Sequence, residues 1–134
     1  MKQNQIYKKI LAGKAENKKA IAVLLDPDKV KFDTLPDLIH DCILNHISYF
    51  FVGGSLVSKM QIAELVSFIK KYCEIPIILF PGNSLHIEPT ADGILLLSLI
   101  SGRNAEYLIG QHVIAAPILK NADLEILSTG YILV

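Results

Sequence analysis

The 134-residue sequence predicts an α/β fold built on one parallel sheet. Five short apolar runs are mostly continuous in hydrophobicity rather than alternating, the pattern of strands buried on both faces. Amphipathic helical segments separate the first three runs and so build βαβ units. Polar loops follow the runs, at the end of the sheet where parallel α/β folds carry their chemistry.

Taken in order, Ile6 to about Ala15 reads as a helix before the first strand, Ile21-Ala-Val-Leu-Leu25. Leu35, Leu38, Ile39, Cys42 and Ile43 recur at helical spacing, and Thr34 with Asp37 three residues on is the pattern of a capping box. Tyr49-Phe-Phe-Val52 is the second strand. A second capping pattern, Ser58 with Gln61, opens a helix striped by Ile62, Leu65, Val66, Ile69 and Tyr72. Ile75-Pro-Ile-Ile-Leu-Phe80 is the third strand. The stretch from Pro81 to Asp92 holds Pro81, Gly82 and Pro89 and is too broken for a full crossover helix. Gly93-Ile-Leu-Leu-Leu97 is the fourth strand, Asn104 to Ala115 a helix, and Ile126 to Val134 the fifth strand. Either these strands form an open doubly wound sheet, or they are part of an eight-unit barrel, which needs about 250 residues. The last strand has no helix after it and would leave a sticky edge, so the chain, a single domain over residues 1–134, reads as truncated.

Composition narrows the function classes. Hydrophobic residues make up 51% and charged residues 19%, which excludes disorder. Thirteen basic residues balance thirteen acidic ones, so nothing favours a nucleic-acid partner held by phosphate neutralisation. No apolar run reaches the roughly 18 residues of a transmembrane helix, and the polar start Met1-Lys-Gln-Asn-Gln-Ile6 lacks the features of a signal peptide. A cytoplasmic protein is expected. Cys42 and Cys73 lie in apolar stripes and read as inert buried thiols.

The candidate chemistry lies in the loops after the strands. Asp26-Pro27-Asp28-Lys29 sets two carboxylates and an ammonium at the end of the first strand; they either bind a cation or only open a turn. Gly53-Gly54-Ser55 follows the second strand, where the glycines let backbone approach a ligand and the hydroxyl can ligate metal; the plain alternative is a strand-to-helix turn. Asn83 follows the third strand, and Ser101-Gly102-Arg103-Asn104 the fourth, where Arg103 suits an anionic group. His40, His46, His86 and His112 show no metal-ligand spacing. Tyr131 reads as a core or rim aromatic whose hydroxyl could face a ligand.

Five segments carry a resemblance: Leu25-Asp-Pro-Asp-Lys29, Val52-Gly-Gly-Ser55, Pro76-Ile-Ile-Leu-Phe-Pro-Gly-Asn83, Leu97-Ser-Leu-Ile-Ser-Gly-Arg-Asn104 and Gly130-Tyr-Ile-Leu-Val134. In order and along the whole length, they resemble the geranylgeranylglyceryl and heptaprenylglyceryl phosphate synthases. The resemblance implies the N-terminal five strands of a TIM (β/α)8 barrel. It also implies a Mg2+-dependent prenyltransferase that moves a prenyl group, with geranylgeranyl diphosphate the expected donor, to the 3-hydroxyl of sn-glycerol 1-phosphate in ether phospholipid biosynthesis.

Carried over residue by residue, Asp26 looks like the family's metal-binding aspartate and Ser55 like its metal-binding hydroxyl. Asp28, Lys29, Gly54, Asn83 and Arg103 stand as substrate-binding candidates. The family's acceptor-phosphate segment belongs to a later strand with no counterpart here, so the 134-residue chain by itself is expected to be inactive. Homo-oligomers are expected of the full-length enzyme. Two rival readings stand beside this one: a barrel aldolase forming a Schiff base through Lys29, and a non-catalytic half-barrel that pairs through its open edges.

Overall fold

The computed structural model describes residues 4–54, 59–83 and 86–134. Helix α1 (Gln5–Ala15) precedes β1 (Ala22–Leu25), and α2 (Leu35–Leu44) leads to β2 (Tyr49–Val52). Helix α3 (Lys59–Tyr72) precedes β3 (Ile77–Leu79), which an irregular connection joins to β4 (Gly93–Leu99). A π-helical turn (Glu106–Gly110) runs into α4 (Gln111–Asn121) before β5 (Glu125–Tyr131). All five strands are parallel in the order β1-β2-β3-β4-β5.

That order never reverses, and the helices follow suit. Leu35, Ile39 and Cys42 of α2, Ile62, Leu65, Val66 and Ile69 of α3, and Ala115 and Leu119 of α4 share one core with Phe50, Val52, Ile77, Leu79 and Ile94. Alternate strand residues Tyr49, Ile78, Leu95 and Leu127 point the other way, where Ile6 of α1 meets them. A doubly wound sheet has a reversal point and helices on both faces. Among the described strands the order has no reversal point, and α2, α3 and α4 share one face while only α1 reaches the other, which counts against that alternative.

The expectation of strands buried on both faces holds for β3, where Ile77, Ile78 and Leu79 are all buried, and fails for β1. Leu25 is buried there, but Leu24 is 56% exposed. β1 is an edge strand, and only its helix-facing side is covered. β5 ends at Tyr131 rather than running to Val134.

The helix starts also differ from expectation. Thr34 makes no capping bond; its hydroxyl donates instead to the Lys31 carbonyl, and Asp33 Oδ1 accepts from Thr34 N–H. Leu38 and Ile43 of the α2 stripe stay partly exposed, because only Leu35, Ile39 and Cys42 reach the sheet. Ser58 of the second capping pattern lies outside the described residues, and Tyr72 at the end of the α3 stripe is exposed. The helix expected from Asn104 to Ala115 starts later and ends later. Asn104 Oδ1 accepts from Glu106 N–H, and the π turn delays the regular helix, which then carries Pro117 on its exposed side to reach Asn121.

Helix α1 lacks a side-chain cap of its own. The buried Glu125 supplies one from the start of β5, accepting from Ile6 N–H and Tyr7 N–H at 2.8 Å each. A carboxylate at a helix N-terminus satisfies orphan donors and complements the helix dipole. Beside it, Tyr49 is buried under the Lys9 ammonium, 5.7 Å from the ring centroid. Burial, and then the Glu125 charge, push the Tyr49 phenol above its ordinary range. Cys42 is buried, and burial chiefly pushes its thiol up, in keeping with an inert role.

Glu125→Ala is expected to cost about 2–3 kcal/mol in urea unfolding, and Glu125→Gln less, with faster amide exchange at Ile6 and Tyr7 in both. Below about pH 10, folded and unfolded chains both keep the Tyr49 proton; above it the unfolded chain releases the proton first, so stability falls as pH rises. Tyr49→Phe should flatten that alkaline loss in a pH series of melting curves. A Cβ at Gly53 would overlap the Phe80 carbonyl oxygen, because β2 and β3 end in close approach. Gly53→Ala should therefore lower stability by about 1–3 kcal/mol, read as a lower melting temperature.

Candidate functional site

The sheet opens a cleft at its carboxyl end through a mismatch in strand length. β3 has three residues and β4 seven, and their pairing stops at Ile78 with Gly93 and Leu79 with Ile94. Leu95 to Leu99 continue beside β5 with no partner on the β3 side. Among its described residues, the connection from Pro81 to Asp92 supplies no α-helix to fill the gap. It is nevertheless held: Asp92 Oδ2 accepts from Ile77 N–H, Lys70 pairs with Asp92 at 3.0 Å, and Glu88 Oε1 accepts from both the amide and the hydroxyl of Thr90. Gly82 N–H donates to Nδ1 of the buried His86. His86 is thus a core histidine that braces a loop.

The resulting cleft encloses about 430 Å3. Its polar end is made by Asp26, Gly53, Gly54, Gly82 and Asn83, from the loops after β1, β2 and β3. Its apolar end runs along both faces of upper β4, with Leu95 and Leu97 on one side and Ile94 and Leu96 on the other, and is closed by Phe80, Ile87, Tyr107, Ala115 and Leu119. Tyr131 lines it too and meets Phe80 edge-on, with ring centroids 5.8 Å apart.

Asp26 is positioned by a tight turn. Lys29 N–H and Val30 N–H both donate to its carbonyl, and Asp28 N–H donates to its Oδ1 at 3.1 Å. Its Oδ2 lies 3.3 Å from the Lys29 ammonium. The carboxylate is thus ion-paired with a neighbouring ammonium. Among the described residues no group of three His, Cys, Asp or Glu side chains could hold a metal. One carboxylate suits Mg2+, which keeps several waters and takes substrate oxygens.

The other candidates separate. Gly54 and Asn83 line the cleft beside Asp26. Asp28 does not; its Oδ1 accepts from Gln61 Nε2 at 3.0 Å and so ties the loop after β1 to the first turn of α3. Lys29 reaches the cleft only through Asp26, and its exposed, ion-paired ammonium is the opposite of the desolvated amine a Schiff base needs. Arg103 is exposed and not among the cleft walls. Ser55 lies outside the described residues.

Sequence reasoning missed the far wall. His112 lines the cleft, and its Nε2 lies 2.8 Å from the Leu97 carbonyl oxygen at the open side of β4. Gln111 and Tyr107 join it, because the π turn rotates this helix start relative to a regular helix.

Residues 14–134 match the PcrB family. The chain is 57% identical over 121 residues to the geranylgeranylglyceryl phosphate synthase of Spirosoma linguale, covering 90% of this chain and 49% of that one. It is 47% identical over 131 residues to the synthase of the same name from Chitinophaga pinensis, covering 98% and 52%. A crystal structure of (S)-3-O-geranylgeranylglyceryl phosphate synthase from Thermoplasma acidophilum, in complex with substrate sn-glycerol-1-phosphate, superposes with a TM-score of 0.85 at 28% identity, covering 93% of this chain and 51% of that one. The chain thus spans about half the length of the curated relatives it matches. On the family match over residues 14–134 and the 57% identity over 90% of its length, the chain belongs to the PcrB family.

Proposed function

We propose that this chain forms the metal- and diphosphate-binding half of a Mg2+-dependent prenyltransferase, which transfers a prenyl group from a prenyl diphosphate to the 3-hydroxyl of sn-glycerol 1-phosphate. One observation carries the reading: a single cleft joins the Asp26 carboxylate to an apolar channel along β4. An amphiphile with a highly charged head and a hydrocarbon tail is the ligand such a cleft suits. The unreversed strand order, the packing of α2, α3 and α4 on one face and the family match support a (β/α)8 barrel for the whole enzyme.

In this reading Asp26 and Ser55 hold the cation. Bound there, it would neutralise the charge that builds on diphosphate as the allylic carbon–oxygen bond breaks. Gly54 leaves room for the diphosphate to approach the backbone, and Asn83 offers an amide at the same end. Phe80, Leu95, Leu97 and Ala115 bury the isoprenoid chain and keep water from the electron-poor carbon, at about 0.8 kcal/mol per buried CH2 group. Asp28 acts by positioning: its bond to Gln61 holds the β1 loop against the start of α3. No observation favours the aldolase or the non-catalytic pairing module.

Equilibrium titration with a non-hydrolysable geranylgeranyl diphosphate analogue and Mg2+ tests this. Asp26→Asn should weaken binding at least about tenfold. Ala115→Trp, which fills the apolar end, should weaken the long-chain analogue while sparing inorganic diphosphate. The polypeptide of residues 1–134 alone should bind the analogue without turning over substrate. Equal affinity in Asp26→Asn, or equal loss of both ligands in Ala115→Trp, would reject the arrangement.

A further inference from the structure

Lys29 sits over the one carboxylate in the polar end of the cleft, and its geometry is that of a removable occupant. The turn Asp26-Pro27-Asp28-Lys29 is closed by Lys29 N–H to the Asp26 carbonyl at 2.9 Å, which returns the lysine side chain over Asp26. The ammonium reaches Oδ2 at 3.3 Å from a side chain that is 82% exposed, whereas the carboxylate is only 25% exposed. The two partners are thus unlike. Asp26 is held by the Asp28 amide and by the cleft wall, while Lys29 rests on nothing in the core. Lys29 can swing into water without disturbing packing, whereas moving the Asp26 side chain would break its bond from the Asp28 amide.

From this asymmetry we infer that Lys29 is an exchangeable stand-in for the divalent cation: it neutralises Asp26 in the free protein, yields Oδ2 when the metal arrives, and turns to the diphosphate that comes with it. This rests on the reading of Asp26 as a metal ligand. A metal ion and an ammonium held at the same carboxylate oxygen repel each other, so the lysine competes with the metal before substrate binds. Diphosphate brings several negative charges beside the metal, and the displaced ammonium, three residues away on the same turn, then has an anion to pair with. The lysine therefore opposes metal binding in the free protein and favours the metal–diphosphate complex. It makes the cation site fill together with substrate rather than ahead of it.

The test reads binding, not turnover. Mn2+ affinity is measured by electron paramagnetic resonance, with and without inorganic diphosphate, for the wild-type chain, Lys29→Met, Lys29→Arg and Asp26→Asn. Lys29→Met should bind Mn2+ alone about two- to fivefold more tightly, the range of an exposed ion pair, and bind diphosphate with Mn2+ more weakly by a similar factor. Lys29→Arg should stay near wild type in both. Opposite changes from one substitution are what a merely structural role would not produce. If Asp26→Asn removes Mn2+ binding but Lys29→Met leaves it unchanged or weaker, the stand-in role is wrong and the metal reading survives. If Mn2+ binding does not depend on Asp26, the metal reading fails and this inference with it.

Discussion

The constraint on which the site depends is the short register between β3 and β4. Two residue pairs join these strands, against seven between β4 and β5. Phe80 N–H still bonds back to the Val52 carbonyl, so β3 stays paired to β2 at its end. Pro81 then removes the next donor, and the chain leaves the sheet. A longer third strand would cover Leu95 to Leu99, and a crossover helix would fill the space behind them. With neither, a channel remains in a fold whose interior is otherwise closely packed.

The same constraint explains the tolerance for polar groups in the irregular connection. His86, Glu88 and Asp92 are spent on backbone amides and on Lys70 and Thr90, so the described residues of the loop that borders the cleft are tied down by side chains. No buried side-chain nitrogen or oxygen among the described residues lacks a partner.

The two ends of the sheet divide the work. At the amino end Glu125 and Tyr49 lock α1 against the sheet, and Ile6 packs where a side chain on Gly93 would collide with it. At the carboxyl end the residues are held by short local turns, and Asp26 keeps both carboxylate oxygens engaged within three residues of itself. Contacts between residues nearly the whole chain apart tie the amino end together, whereas the Asp26 carboxylate at the other end is held within its own turn.

Local pattern determined much of this protein from sequence. Continuous apolar runs and helical periodicity mark all five strands and the helices between them, and the broken stretch from Pro81 to Asp92 is legible as the one crossover without a regular helix. That Asp26, Gly54 and Asn83 share one cleft is legible because in a parallel sheet every strand-end loop emerges on one side. Tertiary structure alone decided what each candidate faces. Asp28 turned to Gln61 and Arg103 to solvent, since one residue of turn geometry reverses where a side chain points. Thr34 caps nothing, because the backbone before α2 gives its hydroxyl a nearer carbonyl. The edge position of β1 exposes Leu24, the π turn carries Gln111 and His112 into the cleft, and Glu125 reaches α1 across nearly the whole chain. Each of these depends on register, edge position or distant pairing, which periodicity does not encode.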